Sequence, residues 1–585
     1  MKRILCLLMT FVMLLGSFTV LTSCGKPKDD GAEINIYLGA QVFDFDPSDY
    51  YVSSNAERLL GLLYEPLFTL KKNGKIKCAA ADGYDVDKKE HKIIIDIRES
   101  YWSDGIQLKA ADFVYAWCER IINSVNPNPA AALFLDIEGV REAMNGEGSI
   151  SDVGIKATEM DQITITYREG ADYKRILRNL ASVATAPVRQ DIVEESPTTW
   201  SKSTVVTNGP FKVKSYKDDG TFELTRNLGY HQEPTVKDYD NKVRPGLLYG
   251  ECTFDGSDFS VSYQDIENNV TFIMADASLT DRKEYKKKAK VADDTSTYTY
   301  VFNTSHPLFS DINARKALSA VIDREAIIDA ITFGKPADGF IPDVSGGARK
   351  DIISTESNLD QAKRYLALVD KTVLAENRTF TLAIDSDEQS IAIAEIVAAA
   401  WKELGFDVKI TPLAVKKTEL SDGSEVTDSG VQYLVKSVAM GTATFDVIGL
   451  DWQTYSIDPL AGLASLTSIL NGMGRQPISG VPSDGGTPDS SVIRSNIAGW
   501  SSAKYDRLVL EASACANKKD RKKLLIEAEK CLIEEMPVCP LVFNQSFVFT
   551  HSKISKVKFD GLGNMSLTNV KLAGYRKYFR PKEEE

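Results

Sequence analysis

The side chains that most often serve in catalytic and metal sites are few in this chain and lie far apart. Its 585 residues include four histidines, which are His91, His231, His306 and His551. A metal site needs ligands that converge, and the sequence contains neither an HExxH nor a CxxC spacing to supply them. It also lacks the GxSxG elbow of serine hydrolases and the GxxxxGK loop that binds phosphates. We therefore predict no metal site and no cofactor.

Carboxylates are the abundant reactive groups, because the chain carries 82 Asp and Glu residues. A pair of carboxylates at the right separation can hydrolyse a glycosidic bond, but a sequence does not say which acidic residues meet in space. A surface hydrolase therefore stays open as an alternative class of function.

Two aspartates and two aromatic residues lie close together after one predicted strand. The strand covers Phe445 to Leu450, and Asp451, Trp452, Tyr455 and Asp458 follow it. Ligands of open sheets with parallel strands bind beyond the carboxyl ends of the strands, and aromatic rings often form the walls of such clefts. We therefore predict that these four residues bind a ligand. The alternative is that Trp452 and Tyr455 only pack against the core.

The elements before this loop have the pattern of an α/β fold. Phe380 to Ile384 reads as a strand, Glu388 to Leu404 as a helix that Gly405 ends, and Phe406 to Ile410 as the next strand. Such a unit implies parallel strands joined by a right-handed crossover.

A further strand and two helices are predicted from Tyr298 onward. Tyr298, Tyr300 and Phe302 alternate with Thr and Val, as in a strand with one buried face. Asp311 and Asp323 each precede a run with helical spacing, so we predict that both are N-caps.

The amino terminus reads as a secretory signal with a lipid-attachment cysteine. Two basic residues precede an apolar run from Ile4 to Leu21, which ends in Leu-Thr-Ser before Cys24. We predict a lipoprotein signal peptide at 1–23, lipid attachment at Cys24 and a tether at 24–32. Two acyl chains anchor a protein stably, so the folded part should lie on the extracytoplasmic face of the cell membrane. An uncleaved transmembrane anchor or a chance cysteine is the alternative.

Composition excludes one class of partner and bounds the domain count. The net charge is -13 and the sequence pI is near 5.1, so nucleic acid is not an expected partner. The length predicts two or three domains.

A chain of this size needs no disulfides, and the pairing of its cysteines cannot be read from the sequence. The six that follow Cys24 are Cys78, Cys118, Cys252, Cys515, Cys531 and Cys539.

Seven stretches of the chain closely resemble one family, the solute-binding proteins of oligopeptide and dipeptide ABC importers (bacterial extracellular solute-binding proteins, family 5). The stretches are LLYEPLF (62–68), WSDG (102–105), ADFVYAW (111–117), NGPFKV (208–213), the segment 303–327, GFDVKI (405–410) and GWSSAKYD (499–506). The chain fits the family poorly at 229–291, where an unusual loop or a displaced strand is expected.

The resemblance implies a two-lobed α/β fold, similar to periplasmic binding proteins, with two hinge crossings and an extra inserted domain. Lobe I is predicted to comprise residues 33–74, 185–298 and 544–585. The inserted domain II would cover 75–184, and lobe III would cover 299–543. The resemblance also implies a monomer without enzymatic activity, which delivers its ligand to membrane permease subunits driven by cytoplasmic ATPases.

Peptide is the ligand that the resemblance implies, although one departure bears on how it binds. Family members carry a W-x-x-D-Y-x-D/E-P loop, whose first Asp pairs with the amino terminus of the peptide. This chain has Tyr455 at that position, while Asp458 and Pro459 match the end of the motif. A neutral phenol cannot offset a buried ammonium. Either Asp451 or Asp458 replaces the carboxylate, or the ligand is a peptide without a free amine or a non-peptide solute.

Overall fold

The computed structural model covers most of the chain after the predicted signal peptide and tether. It describes residues 32–40, 42, 44–49, 54–124, 128–145, 147–197, 199–202, 205–217, 221–231, 245–253, 261–345, 352–419, 425–439, 441–468, 470, 496–568 and 570–573. The signal peptide at 1–23, Cys24 and nearly all of the tether lie outside the described residues. Within these residues, no helix is both long enough and apolar enough to span a membrane.

Strands and helices alternate along the described residues. The strands are β1 (Ala32–Ala40), β2 (Phe68–Leu70), β3 (Ile76–Cys78), β4 (Ala81–Asp87), β5 (Lys92–Ile97), β6 (Ile155–Glu159), β7 (Gln162–Thr166), β8 (Phe211–Tyr216), β9 (Phe222–Arg226), β10 (Pro245–Thr253), β11 (Phe272–Met274), β12 (Lys290–Phe302), β13 (Lys335–Pro336), β14 (Thr379–Asp385), β15 (Asp407–Leu413), β16 (Lys416–Glu419), β17 (Glu425–Asp428), β18 (Val447–Gln453), β19 (Val538–Thr550), β20 (Ile554–Ser555), β21 (Lys558–Phe559), β22 (Met565–Ser566) and β23 (Lys571–Leu572). The α-helices are α1 (Ser54–Leu63), α2 (Ala110–Tyr115), α3 (Val140–Asn145), α4 (Tyr173–Asn179), α5 (Gln190–Glu195), α6 (Tyr263–Asn268), α7 (Leu279–Tyr285), α8 (Pro307–Ser310), α9 (Ile312–Ala320), α10 (Arg324–Ile331), α11 (Leu359–Leu366), α12 (Lys371–Glu376), α13 (Glu388–Glu403), α14 (Gly430–Ala439), α15 (Pro459–Ala464), α16 (Ala503–Ala514) and α17 (Lys518–Glu535).

Two long strands, β12 and β19, form the middle of the large sheet, whose order is β15-β14-β18-β12-β19-β11-β1-β10-β9-β8. They pair antiparallel along most of their length, with an irregular stretch of β12 between Asp293 and Thr297. On the lobe III side, residues 296–302 of β12 pair with β18. On the lobe I side, Phe549 and Thr550 of β19 pair with β11. Both strands therefore run through both halves of the sheet. The domain boundaries predicted at 298/299 and 543/544 lie within β12 and β19, respectively, and they stay a prediction.

The predicted βαβ unit is confirmed. β14 and β15 pair in parallel, α13 connects them, and Gly405 follows the helix with a φ of +82°, which favours glycine. The two predicted N-caps are also confirmed, because Asp311 accepts from Asn313 N and Asp323 accepts from Ala326 N. β14 pairs on its other side with β18, again in parallel.

Two elements differ from the sequence prediction. The strand predicted at Phe445 to Leu450 is β18, which continues to Gln453 because its last residues pair with 296–298 of β12. The apolar stripe of residues 110–122 predicts one α-helix, but the stretch changes to a π-helix at Ala116.

In the region that fits the family poorly, β10 lies between β1 and β9 and runs parallel to β1.

A separate antiparallel sheet, β4-β5-β7-β6, lies within 75–184, the range predicted for domain II. The WSDG and ADFVYAW stretches meet there through Asp112, whose Oδ2 accepts from Trp102 Nε1 at 2.9 Å and from Lys109 N at 3.0 Å. These motifs therefore hold the fold together locally. Among the described side chains five cysteines are free thiols: Cys78, Cys118, Cys515, Cys531 and Cys539. The side chain of Cys252 lies outside the described part.

The buried ion pair of domain II gives a stability prediction. Arg175 donates through both Nε and Nη2 to Asp136, and both residues are buried. Replacing Arg175 with Met leaves the Asp136 carboxylate buried without its main partner, so we expect the free energy of unfolding to fall by about 3 kcal/mol. Chemical denaturation monitored by tryptophan fluorescence measures this change. Lys174→Met is the matched control, because Lys174 is exposed in the same helix and should change stability by less than about 0.5 kcal/mol.

Candidate functional site

The last residues of β18 alternate between two faces of the sheet. Trp452 points away from Asp451 and Gln453, because neighbouring residues of a strand face opposite sides. Its ring packs edge-on against Phe340 at 5.7 Å between centroids, and its Nε1 donates to Ser465 Oγ at 3.1 Å. Trp452 is thus anchored in the core of lobe III, as in the packing alternative. Its predicted contact with ligand stays untested.

Tyr455 lies just beyond the strand in a conformation that tyrosine seldom adopts. Its φ is +57°, in the left-handed region, and only 3% of the residue is exposed. Asn and Asp enter this region more readily than aromatic residues, because their short polar side chains can hydrogen-bond locally. The backbone here is therefore shaped in a way that suits the Asp of the family motif.

Asp458 is occupied by contacts within the protein. Its Oδ1 accepts from Leu460 N at 3.0 Å and so caps α15. Arg521 donates to both carboxylate oxygens, at 2.7 and 2.9 Å. Burial raises the pKa of Asp458, but the charge and hydrogen bonds of Arg521 outweigh that effect and hold it below its usual value. Asp458 is therefore a helix cap with a fixed cation, and it offers little to a ligand amine.

Asp451 lies in a different environment, among other carboxylates. Its Oδ1 accepts from Asn544 Nδ2 at 2.7 Å. Burial, together with the charges of Asp387 and Asp451, raises the pKa of Asp385 to about 7. Burial and the charges of Asp451 and Asp276 raise the pKa of Asp387 to about 6. These four aspartates form what we call the acidic cluster (Asp276, Asp385, Asp387 and Asp451). Asp276 is paired with Arg282 at 2.6 Å and with Arg58 at 3.6 Å. A further cation would therefore be stabilised by the other three aspartates.

The acidic cluster lies where the two lobes meet. Asp276 falls in the range predicted for lobe I. Asp385 ends β14, Asp387 follows it, and Asp451 lies two residues before the end of β18, all in the range predicted for lobe III. Next to the cluster, Leu279 N donates to Glu388 Oε2 at 3.0 Å, and Arg282 Nη1 donates to Gln389 Oε1 at 2.6 Å. A third contact joins Lys436 Nζ to Asp49 at 3.5 Å. The lobes are therefore in contact around the carboxyl ends of these strands.

The sequence prediction found one member of the acidic cluster, Asp451, and missed the others. Asp385 and Asp387 had a visible signal, because they follow a strand of the predicted βαβ unit and parallel strands end at one edge of the sheet. Asp276 had no such signal, since it reaches the cluster only through the contact between the lobes. Among the described residues, no group of three or more His, Cys, Asp or Glu side chains could hold a metal ion.

In this α/β fold the strands β12 and β19 run through both halves of the large sheet. The chain belongs to the bacterial extracellular solute-binding proteins, family 5, whose family model matches residues 75–473. The α/β two-lobed fold predicted from the sequence is confirmed by its likeness to solved structures. Relatives of the chain include a dipeptide-binding protein and an oligopeptide-binding protein.

Three similar proteins illustrate the relationship. The dipeptide-binding protein DppE of Bacillus subtilis is 25% identical over 557 residues, which cover 93% of this chain and 92% of DppE. The structure of the Escherichia coli murein tripeptide binding protein MppA matches with a TM-score of 0.70 at 21% identity, covering 93% of this chain and 99% of MppA. Listeria monocytogenes OppA bound to peptide matches with a TM-score of 0.72 at 18% identity, covering 93% and 99%.

The raised pKa of Asp385 predicts how stability depends on pH. A carboxyl group whose pKa is higher in the folded chain than its unfolded value, about 3.9, destabilises the fold as pH rises toward the folded value of about 7. Asp385→Asn removes the ionisable group and with it this loss of stability. We therefore expect the ligand-free variant to be more stable than the wild type by at least about 1 kcal/mol at pH 8, and equal to it near pH 4.

Thermal unfolding at a series of pH values measures the effect, with Asp360→Asn as control, because Asp360 is exposed on α11. A stabilisation by Asp385→Asn that does not change between pH 4 and pH 8 would contradict the prediction.

Proposed function

We propose that this chain is the extracytoplasmic substrate-binding protein of an ABC importer, and that it captures peptides between its two lobes for delivery to a membrane permease. The observation that carries this proposal is the acidic cluster at the contact between the lobes. A peptide with a free amino terminus carries one positive charge there, whatever its side chains are. A cleft with surplus negative charge at one point suits such a ligand.

Asp451 is the proposed partner of the ligand ammonium. Asp458 is already paired with Arg521, and Tyr455 offers no charge. Asp451 shares its surroundings with Asp385 and Asp387, whose raised pKa values mean that the fold holds negative charge there at a cost in free energy. An ammonium beside Asp451 would reverse that cost by lowering the pKa values of Asp385 and Asp387.

The anchoring part of the proposal rests on the sequence. Residues 1–23 would be removed on export, and Cys24 would carry the lipid that holds the protein on the extracytoplasmic face of the membrane. Monomeric protein on a tether is enough for this task, because delivery requires only an encounter with the permease subunits. The cytoplasmic ATPase subunits would act through the permease. Capture and release break no bond of the ligand, so the proposal includes no catalysis.

Affinity for alanine oligomers of two to eight residues tests the proposed amine site. Asp451→Asn keeps an oxygen for Asn544 and loses the charge, so we expect affinity for free-amine oligomers to fall by about 30-fold or more. N-acetylated oligomers should bind the wild type and the variant equally weakly. Isothermal titration calorimetry of the soluble chain that starts after Cys24 measures both. Asp360→Asn controls for the change in net charge.

Three outcomes would separate the alternatives. Equal binding of free and acetylated oligomers to the wild type would contradict a role for Asp451 as the amine site. Binding of no peptide, together with a sugar or another solute found by native mass spectrometry of the purified chain, would favour a non-peptide ligand. Consumption of peptides or glycosides on incubation would instead favour the surface hydrolase.

Lipid attachment gives a separate prediction. Growth with labelled palmitate should label the wild-type chain, whereas Cys24→Ser should carry no label and should remain unprocessed. Cys6→Ser is the matched control, because Cys6 lies inside the predicted signal peptide. It should leave labelling unchanged. Equal label on wild type and Cys24→Ser would show that Cys24 is not the attachment site.

A further inference from the structure

The side chain of Gln453 is buried without a hydrogen-bond partner. The residue is only 3% exposed, and within the part of the chain that the structure describes neither its Nε2 nor its Oε1 is hydrogen-bonded. Burying an amide without a partner costs free energy, and native proteins satisfy nearly all such groups. A donor and an acceptor left open on one side chain therefore indicate a partner that comes from outside the chain.

Gln453 lies on the same side of the sheet as Asp451. The two residues are two positions apart in β18, so their side chains share a face and stand about 7 Å apart along the strand. The strand pairing sets Gln453 opposite Ser296 of β12. Asn544 fixes this face, because its Nδ2 donates to Ser296 Oγ at 2.9 Å and to Asp451 Oδ1 at 2.7 Å. Gln453 is thus the next polar side chain along the strand from the proposed amine site.

A second open polar atom lies at the same junction. Thr295 is 1% exposed, and its Oγ1 has no hydrogen-bond partner among the described residues. Its carbonyl oxygen accepts from Thr454 N at 3.1 Å, so Thr295 is tied to the residue that follows Gln453. Open polar groups therefore occur on both strands where β12 and β18 meet at the contact between the lobes.

We propose that Gln453 binds the backbone of one ligand residue, with Nε2 donating to the carbonyl of that residue and Oε1 accepting from its N–H. This inference rests on the proposed peptide function and adds a residue to it. A carboxamide presents a donor and an acceptor side by side. The N–H and C=O of one residue in an extended chain point to the same side and therefore match it. A carboxylate ligand has no donor, and an ammonium has no acceptor.

The spacing along β18 agrees with this assignment. An extended peptide advances about 3.4 Å per residue, and Asp451 and Gln453 are about 7 Å apart. A ligand whose ammonium contacts Asp451 therefore brings the backbone N–H and C=O of its second or third residue level with Gln453. The chain would then select ligands that carry an N–H at that point, and would bind proline or an N-methylated residue there more weakly.

Gln453→Met separates a ligand contact from a packing role. Methionine has a similar length and no hydrogen-bonding group that must be satisfied. We expect two opposite changes: the ligand-free variant melts at a higher temperature than the wild type, and its affinity for alanine oligomers falls by about 10-fold, which corresponds to the loss of hydrogen bonds in a buried site. A residue that only packs would instead lower the melting temperature and leave affinity unchanged. Gln361→Met on the exposed face of α11 is the control.

Ester substitution in the ligand provides the second test. Each amide of the best-binding alanine oligomer is replaced in turn by an ester, which removes one N–H. One ester should weaken binding to the wild type by about 10-fold, and the same ester should weaken binding to Gln453→Met by less than about 2-fold. If every ester has the same effect on both proteins, the Gln453 inference is wrong while the peptide function stands. If the wild type binds no alanine oligomer, both are wrong.

Discussion

The antiparallel pairing of β12 with β19 is the interaction on which the rest of the structure depends. Each strand is bonded to lobe III at one end and to lobe I at the other, and the regular pairing of β12 is lost between Asp293 and Thr297. Movements of one lobe against the other in such proteins are absorbed by a few residues at crossings of this kind. β18 pairs with the lobe III part of β12 and ends opposite Ser296. The end of β18 is therefore fixed beside the irregular stretch of β12. Asp451 and Gln453 are therefore carried by a strand and not by a long loop.

The acidic cluster connects the stability of the fold with its function. Burial, together with the nearby charge of Asp451, raises the pKa values of Asp385 and Asp387 and makes the ligand-free protein less stable at neutral pH than it could be. The open amide of Gln453 acts in the same direction, because it is buried without a partner in the described chain. Residues that weaken the empty protein in this way are typical of functional sites, where a ligand supplies the missing partner. Asp458 differs, because its carboxylate accepts hydrogen bonds from Arg521 and from the first turn of α15. It therefore adds to the stability of the fold.

The sequence predicted those elements whose signals are local. The caps at Asp311 and Asp323 depend on a residue and the turn after it, and the βαβ unit depends on a hydrophobic pattern and on Gly405. What the sequence missed depends on contacts between distant segments. β18 extends to Gln453 only because β12 offers it a partner, and Gln453 becomes a candidate only once its burial is known. Asp458 matched the family motif, yet the sequence could not reveal that Arg521, 63 residues later, takes up both of its oxygens.

The free thiols bear on the redox conditions under which the protein can fold. Burial raises the pKa of Cys118 to about 12 and that of Cys531 to about 11, and it raises the pKa of Cys539 as well. Only the thiolate attacks a disulfide, so these three cysteines stay protonated and unreactive at neutral pH. The cores that contain Cys118, Cys531 and Cys539 are held together without disulfide bonds at these cysteines. These cores are therefore indifferent to the redox potential around them, and they can form without any machinery that makes or reshuffles disulfide bonds.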